Sequence, residues 1–271
     1  MNRLMVATIL LGCFGLVSAE LRAQDTIQDI VVVNRPKSNG TLQRKGQIIE
    51  WLGAEITMEV NGRELSIDTD QVISFRTNWP LEYAEAQQLV AQGKTTAAVQ
   101  KFAQAIESET RPWAQRIIRS KLISQLMLLR QVDQAADQFV AIVSQDKNTR
   151  FMYLAPLAWP NTPNRFSRAK KWIDAEESIV QLIGASWALT GPDRDAAIAR
   201  LEKLVDDIDP RISSLAIAQT WRTRPSVSIK QANVWQKLVD EMPEAVRTGP
   251  IYVLAGFQAL AGVQSETDKA I

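Results

Sequence analysis

Residues 82–108 read EYAEAQQLVAQGKTTAAVQKFAQAIES, and the spacing inside this stretch decides the fold. Ala86, Leu89 and Gly93 recur on one helical face, and Ala98, Phe102 and Ala105 follow at steps of four and three. The pattern predicts two short helices packed against each other, with a turn at Gly93. Ala and Gly at these positions let two helix backbones approach closely, and Phe102 fills the groove beside them. One hairpin of this kind cannot bury its own apolar face, so it implies neighbours of the same kind. The expectation is a helical scaffold that binds a partner rather than an enzyme.

Moving toward the C-terminus, Ile117, Ile118, Leu122, Leu126 and Leu129 mark a further helix, and Ala135, Phe139 and Ile142 the next. Ala135 lies 37 residues after Ala98 (135 − 98), and Arg130-Gln131 stand where the turn glycine stood before. A third unit runs through Trp172, Ile179, Ile183 and Trp187 to Gly191-Pro192, then Ala197, Leu201 and Leu204. Pro192 is expected in the first turn of the helix it opens, with Asp193 and Asp195 at the positive end. Three more helices are read at 210–221, 229–241 and 243–262, the last apolar over 251–263, before a frayed tail at 264–271. The alanines and the aromatic four residues later resemble the tetratricopeptide repeat. Thr110-Arg111-Pro112 stands where that repeat often closes on proline, slightly late. The resemblance implies a repeat solenoid over residues 81–263, with an extended face for protein partners.

Residues 27–78 have a different period. Ile30 to Val33 is a β-branched run, the polar stretch 37–43 carries the turn signal Asn39-Gly40, and Gln47 to Leu52 is a second strand. From Glu55 to Val60 the sequence alternates, with Ile56, Met58 and Val60 on one side. Asn61-Gly62 is a strong hairpin signal, Leu65 and Ile67 continue the alternation, and Gln71 to Arg76 supplies a last strand. Five short strands must curl to cover an inner face. This resembles an SH3-like or Sm-like small barrel, and the fold class is therefore α+β. Trp51 is expected in the barrel core or against the helices, with a binding aromatic on the barrel as the sharper alternative. Pro80 ends the unit, and Trp79 is expected where sheet and helices meet.

The N-terminus begins with Arg3 and the uncharged run Leu4 to Val17, followed by the small residues Ser18-Ala19 and by Ala23. This is the pattern of a secretory signal peptide, residues 1–23, with cleavage after Ala19 or Ala23. The run is shorter than a membrane span requires. Leu10-Leu11-Gly12-Cys13 resembles a lipobox. Leu before Gly fits it poorly and the apolar run continues past Cys13, so plain cleavage is favoured over a lipid anchor there. Both outcomes place the mature chain in the periplasm or cell envelope.

Composition closes several chemistries. The chain has no histidine, and Cys13 is its one cysteine. That excludes Ser-His-Asp and Cys-His nucleophiles, argues against zinc, and removes disulfides from the mature chain. With 31 Lys and Arg against 30 Asp and Glu, the net charge is +1, without the basic excess of a nucleic-acid binder. No cofactor motif stands in the sequence, and none is expected.

Residues 146–168 break the helical rhythm with Pro156, Pro160 and Pro163 among apolar and aromatic residues. Long loops are often functional, which makes Phe151, Tyr153, Leu157 and Trp159 the candidate partner-binding residues. Burial of the same residues as a seal over the helices is the favoured reading. Arg111, Arg116, Arg119 and Lys121, and separately Arg165, Arg168, Lys170 and Lys171, form basic clusters, expected as solvated faces with anion binding as the sharper reading. The function expected is a non-enzymatic secreted scaffold for a protein or peptide partner. The alternative is a carboxylate-based envelope enzyme or a glycan-binding protein. Candidate acids are the pairs Glu82 and Glu85, Glu176 and Glu177, and Asp206 and Asp207, all with the look of helix-surface charge. The tryptophans, candidates for sugar stacking, are explained mostly by core packing.

Overall fold

The computed structural model describes residues 28–35, 40–159, 168–223, 228–248 and 251–252. The chain is α+β: a five-stranded antiparallel sheet, then helices. The strands are β1 (Asp29–Asn34), β2 (Thr41–Leu52), β3 (Glu55–Val60), β4 (Arg63–Asp68) and β5 (Val72–Arg76), in spatial order β4-β3-β2-β1-β5. β2 is long enough to serve two lobes, pairing β1 through its first half and β3 through its second. The crossover is at Gly46, where a Cβ would stand 2.0 Å from the Glu59 carbonyl oxygen. A register shift between Ile48 and Glu50 bends the strand further. The expected second strand is thus extended back to Thr41, into what the sequence read as a polar turn. Residues 36–39, including Asn39, lie outside the described residues.

The sheet is not closed into a barrel: β4 and β5 stand at opposite ends of the strand order, joined by a 3-10 turn at Thr69–Gln71. This corrects the expectation of a closed barrel, and the reason is physical. The inner face, including Val31, Ile48, Trp51, Ile56, Met58 and Ile67, is buried in one core with the helices, so it need not curl on itself for cover.

Nine α-helices follow among the described residues: α1 (Leu81–Ala91), α2 (Thr95–Ser108), α3 (Pro112–Leu128), α4 (Val132–Val143), α5 (Ala169–Ile173), α6 (Ser178–Ala188), α7 (Arg194–Leu204), α8 (Pro210–Trp221) and α9 (Ile229–Glu241). Consecutive helices pack from α1 through α4 and again from α5 through α8. α2, α4 and α7 bury the same three positions: Ala98, Phe102 and Ala105; Ala135, Phe139 and Ile142; Ala197, Leu201 and Leu204. Trp172 sits on its own short helix, not with Ile179 as the sequence suggested. Gly184 lets α6 approach α5: a Cβ there would lie 2.6 Å from the backbone of Trp172 and of Ile173. Pro192 precedes the cap Asp193 instead of entering the first turn of α7. Of the expected helix at 243–262, a 3-10 turn at Glu244–Val246 and helical residues 251–252 are described, and the rest lies outside the described residues.

The turns after α1 and α3 are built alike. Gly93 (φ 71) donates its N–H to the Val90 carbonyl at 2.9 Å, and Lys94 donates to Leu89 at 2.9 Å. Arg130 (φ 57) and Gln131 repeat this on Met127 at 3.0 Å and Leu126 at 2.9 Å. Both are left-handed helix ends that favour glycine, yet the second carries an exposed arginine. Arg130→Gly is therefore expected to stabilise the chain by about 0.5 kcal/mol, relief of the left-handed strain outweighing the added chain entropy. Chemical denaturation checks it, and an unchanged or lower midpoint would contradict it.

Candidate functional site

The sheet meets the helices along a seam at the start of α3, and this seam positions every cleft beside it. Pro112 opens the helix and places Trp113 in its first turn. Trp113 is buried and donates its indole N–H to the Ile48 carbonyl at 3.1 Å. Its ring lies 6.5 Å from Trp51, 6.4 Å from Phe75 and 6.1 Å from Trp79. Trp79 stacks on Tyr83 at 4.4 Å, so the aromatic cluster runs from the sheet into α1. Burial raises the Tyr83 phenol above its ordinary pKa, partly offset by its hydrogen bond with Gln87. Trp51 and Trp79 thus stand where the sequence expected them, at the meeting of sheet and helices.

Charged side chains complete the seam. Arg116, only 3 % exposed, binds the Glu50 carboxylate at 2.5 Å and the Trp51 carbonyl at 2.7 Å. Arg111 binds Glu109 at 2.7 Å, Thr77 Oγ1 at 2.6 Å and the Asn78 carbonyl at 2.6 Å, with Asp29 3.7 Å away. The buried Asp146 carboxylate accepts the Gly53 N–H at 3.0 Å, and the Arg150 guanidinium lies 4.5 Å from the Trp51 ring centre. The basic cluster expected as a solvated face is thereby corrected in part. Arg111 and Arg116 hold the sheet to α3, and Arg119 binds Gln138, because acceptors distant in sequence come to meet them. In the other cluster Arg168 pairs with Asp137, Lys170 and Lys171 are exposed, and Arg165 lies outside the described residues.

Two carboxylates at such joints are acid-sensitive. Burial works to raise Glu109, but hydrogen bonds from the Arg111 side chain and backbone, with the Arg111 charge, hold it below the ordinary carboxylate range. Asp209 is held low in the same way by Arg211 against its own burial. Arg211 in turn donates to the Thr149 carbonyl at 3.0 Å, fixing α8 to the segment after α4. A carboxylate with a depressed folded pKa contributes stability above its unfolded pKa and loses it as pH falls through the folded value. Thermal stability is expected to fall below about pH 4, less steeply in a Glu109→Gln, Asp209→Asn variant. An unaltered pH profile in that variant would contradict the assignment.

The loop residues are placed as follows. Phe151, in the 3-10 segment Arg150–Leu154, and Leu157 are buried; Tyr153 is 52 % exposed, and Trp159 is half-buried. Residues 156–158 lie across α6 and α8. Trp187 donates to the Pro156 carbonyl at 2.8 Å, and the Ala158 N–H donates to Ser186 Oγ at 3.1 Å. Arg222 donates to the carbonyls of Ala158 and Ser186, each at 2.9 Å. Burial pushes the Arg222 pKa down to about 10, so it stays a cation at neutral pH. The four candidates do not converge on one exposed surface. Trp172 and Trp187 stack at 5.1 Å, and Trp221 and Trp235 at 4.8 Å, on internal helix contacts.

Two clefts flank the seam. The first, about 850 Å³, lies between β2 and the β3–β4 turn, with Arg44, Lys45 and Arg111 facing Asp29 and Glu59. The second, about 790 Å³, is bounded by Glu50, Glu55 and Asp68 of the sheet and by Gln145 to Asn148 after α4. Its carboxylates have structural partners: Glu50 holds Arg116, Asp146 holds Gly53, Glu55 accepts from Ser66 Oγ at 2.5 Å, and Asp68 accepts from the Asp70 N–H at 3.0 Å. The acid pairs noted in the sequence are also surface charge. Glu85 pairs with Lys101 at 2.6 Å, Glu176, Glu177 and Asp206 are exposed, and Asp207 accepts the Asp209 N–H at 2.9 Å.

Sequence reasoning missed the outer face of the β3–β4 hairpin. Glu55 stands opposite Asp68 and Glu59 opposite Glu64, all four exposed. The signal was present in the alternation EITMEV, whose second face is acidic. No group of His, Cys, Asp and Glu suited to hold a metal occurs among the described residues. No helix among them is long and apolar enough to cross a membrane. Comparison with protein-family models, with characterised proteins and with solved structures gives no match for this chain.

Proposed function

We propose that this protein is a non-enzymatic interaction scaffold, exported to the cell envelope, which binds a protein partner on a rigid sheet-and-helix frame. The observation that carries this reading is the shared register of α2, α4 and α7. Each buries a residue at the same three positions against its neighbours, as stacked helix pairs of the tetratricopeptide type do. The strand order of the sheet, with its 3-10 turn before β5, supports an SH3-like relationship for the N-terminal unit, a second contact module. Tyr153 (52 % exposed) and Leu128 (70 % exposed) are apolar or aromatic side chains offered to solvent on this frame.

A photo-reactive residue placed at Tyr153, at Leu128 or on β4 in bacterial cells expressing the chain is expected to yield a discrete cross-linked adduct from at least one position. The mature chain recovered from those cells is expected to begin at Glu20 or Gln24. Absence of any adduct from every exposed position would contradict the scaffold, and an uncleaved chain would contradict export.

A further inference from the structure

We infer that the free edge of β4 is a docking site for an extended lysine- or arginine-rich segment of a partner protein, which joins the sheet as a further strand. The inference rests on the scaffold reading and names the chemistry of its partner. Among the described residues no strand pairs with the outer side of β4. The two-residue turn Asn61-Gly62, with φ of 51° and 73°, makes Val60 and Arg63 a hydrogen-bonded pair. Alternation along the ladder then turns the backbone N–H and C=O of Glu64, Ser66 and Asp68 away from β3. The donation from Thr69 N–H to the Ala54 carbonyl, at 2.7 Å, keeps the same phase beyond the strand end. Edge groups of this kind are what an added strand binds.

Charge selects the occupant. The side chains of Glu64, Ser66 and Asp68 lie on the exposed face, opposite Glu59, Thr57 and Glu55. Two of those three cross-strand pairs are like-charged, an arrangement that costs stability in the free protein. An incoming strand places alternate side chains on this same face, beside Glu64 and Asp68. Cationic side chains there would offset the repulsion, and acidic ones would add to it. Glu64 and Asp68 make no ion pair among the described contacts, and Arg116 is held by Glu50. Glu59 makes none either, although Arg44 and Lys45 line the same cleft, so the cationic segment is expected to sit beside Glu64 and Asp68.

The test titrates the purified chain with a short fluorescent peptide alternating lysine and threonine, and with a glutamate–threonine counterpart. The lysine peptide is expected to bind, and about tenfold or more tightly than the glutamate peptide. Glu59→Gln with Glu64→Gln should weaken it several-fold and reduce its salt dependence, since neither carboxylate has a structural partner among the described contacts. Ser66→Pro removes an outward N–H without removing a ladder bond, together with the hydroxyl bond to Glu55; it should abolish binding, whereas Ser66→Ala, which loses the hydroxyl alone, should bind about as wild type does. If that variant does not fold, a lysine peptide N-methylated at alternate amides replaces it and should not bind. Undiminished binding by Ser66→Pro or by the N-methylated peptide, or equal binding of the glutamate peptide, would overturn strand addition. A partner that cross-links equally well to wild type and to Ser66→Pro would leave the scaffold standing and remove this site alone.

Discussion

Replacing Trp113 with alanine is expected to destabilise the chain by about 3–5 kcal/mol, the range for truncating a buried aromatic. The residue is 1 % exposed and touches both halves of the fold. Its removal opens a cavity among Trp51, Phe75 and Trp79, each within 6.5 Å of its ring. It also strips the Ile48 carbonyl of its donor, at the point where the β2–β3 register breaks. An unpaired buried carbonyl has its own cost, about 1–3 kcal/mol. Trp113→Phe separates the two effects, since it keeps most of the ring packing and loses the N–H. It should lose roughly 1–2 kcal/mol. Denaturant unfolding of both variants measures the losses. A cost below about 1 kcal/mol for Trp113→Ala would mean that the seam is a surface contact and not shared core.

The second large effect is expected at Gly46. A Cβ there would overlap the Glu59 carbonyl oxygen, 2.0 Å away, and approach the Val60 side chain at 3.1 Å. The oxygen belongs to the backbone and has no rotamer to change. Gly46→Ala must therefore push β3 away from β2 at the place where β2 passes from one lobe to the other. The expected loss is about 3 kcal/mol or more, at the upper end of overpacking costs. Amide exchange should speed up in β3 and β4 and also in α3 and α4, which share the core of the sheet. Faster exchange confined to β3 and β4, with α3 and α4 unmoved, would contradict that sharing.

Local chemistry made much of this fold legible in the sequence. Pro210 marks the start of α8, Gly93 marks the turn between α1 and α2, and Asn61-Gly62 fixes the β3–β4 turn. Each signal acts within a few residues, where backbone sterics decide the outcome. The turn at Arg130 was hidden because its residue type opposes its conformation. Long-range pairings were hidden for another reason. Arg116 meets Glu50 across 66 residues, and Asp146 meets Gly53 across 93. No periodicity reports which distant acceptor a buried cation will find, so a basic cluster in sequence became a joint in space. The loop candidates failed to converge for the same reason: Phe151 and Leu157 are apolar, and the helices beside them had apolar surface to cover.

The open sheet follows from the seam as well. Five strands alone would have to curl, but the inner face shares one core with the helices, which α3 meets at β2, and the β4 edge stays unpaired among the described residues. That dependence makes the shared core the central claim. Native-state amide exchange under rising denaturant tests it most directly, by comparing Val31, Ile56 and Met58 in the sheet with Ile118 and Phe139 in the helices. A shared core predicts that both sets lose protection at one common free energy, and that Trp113→Ala lowers it for both. Sheet amides that open well before the helical ones in the wild-type chain, with helix protection unmoved by Trp113→Ala, would show two independent domains and contradict the account.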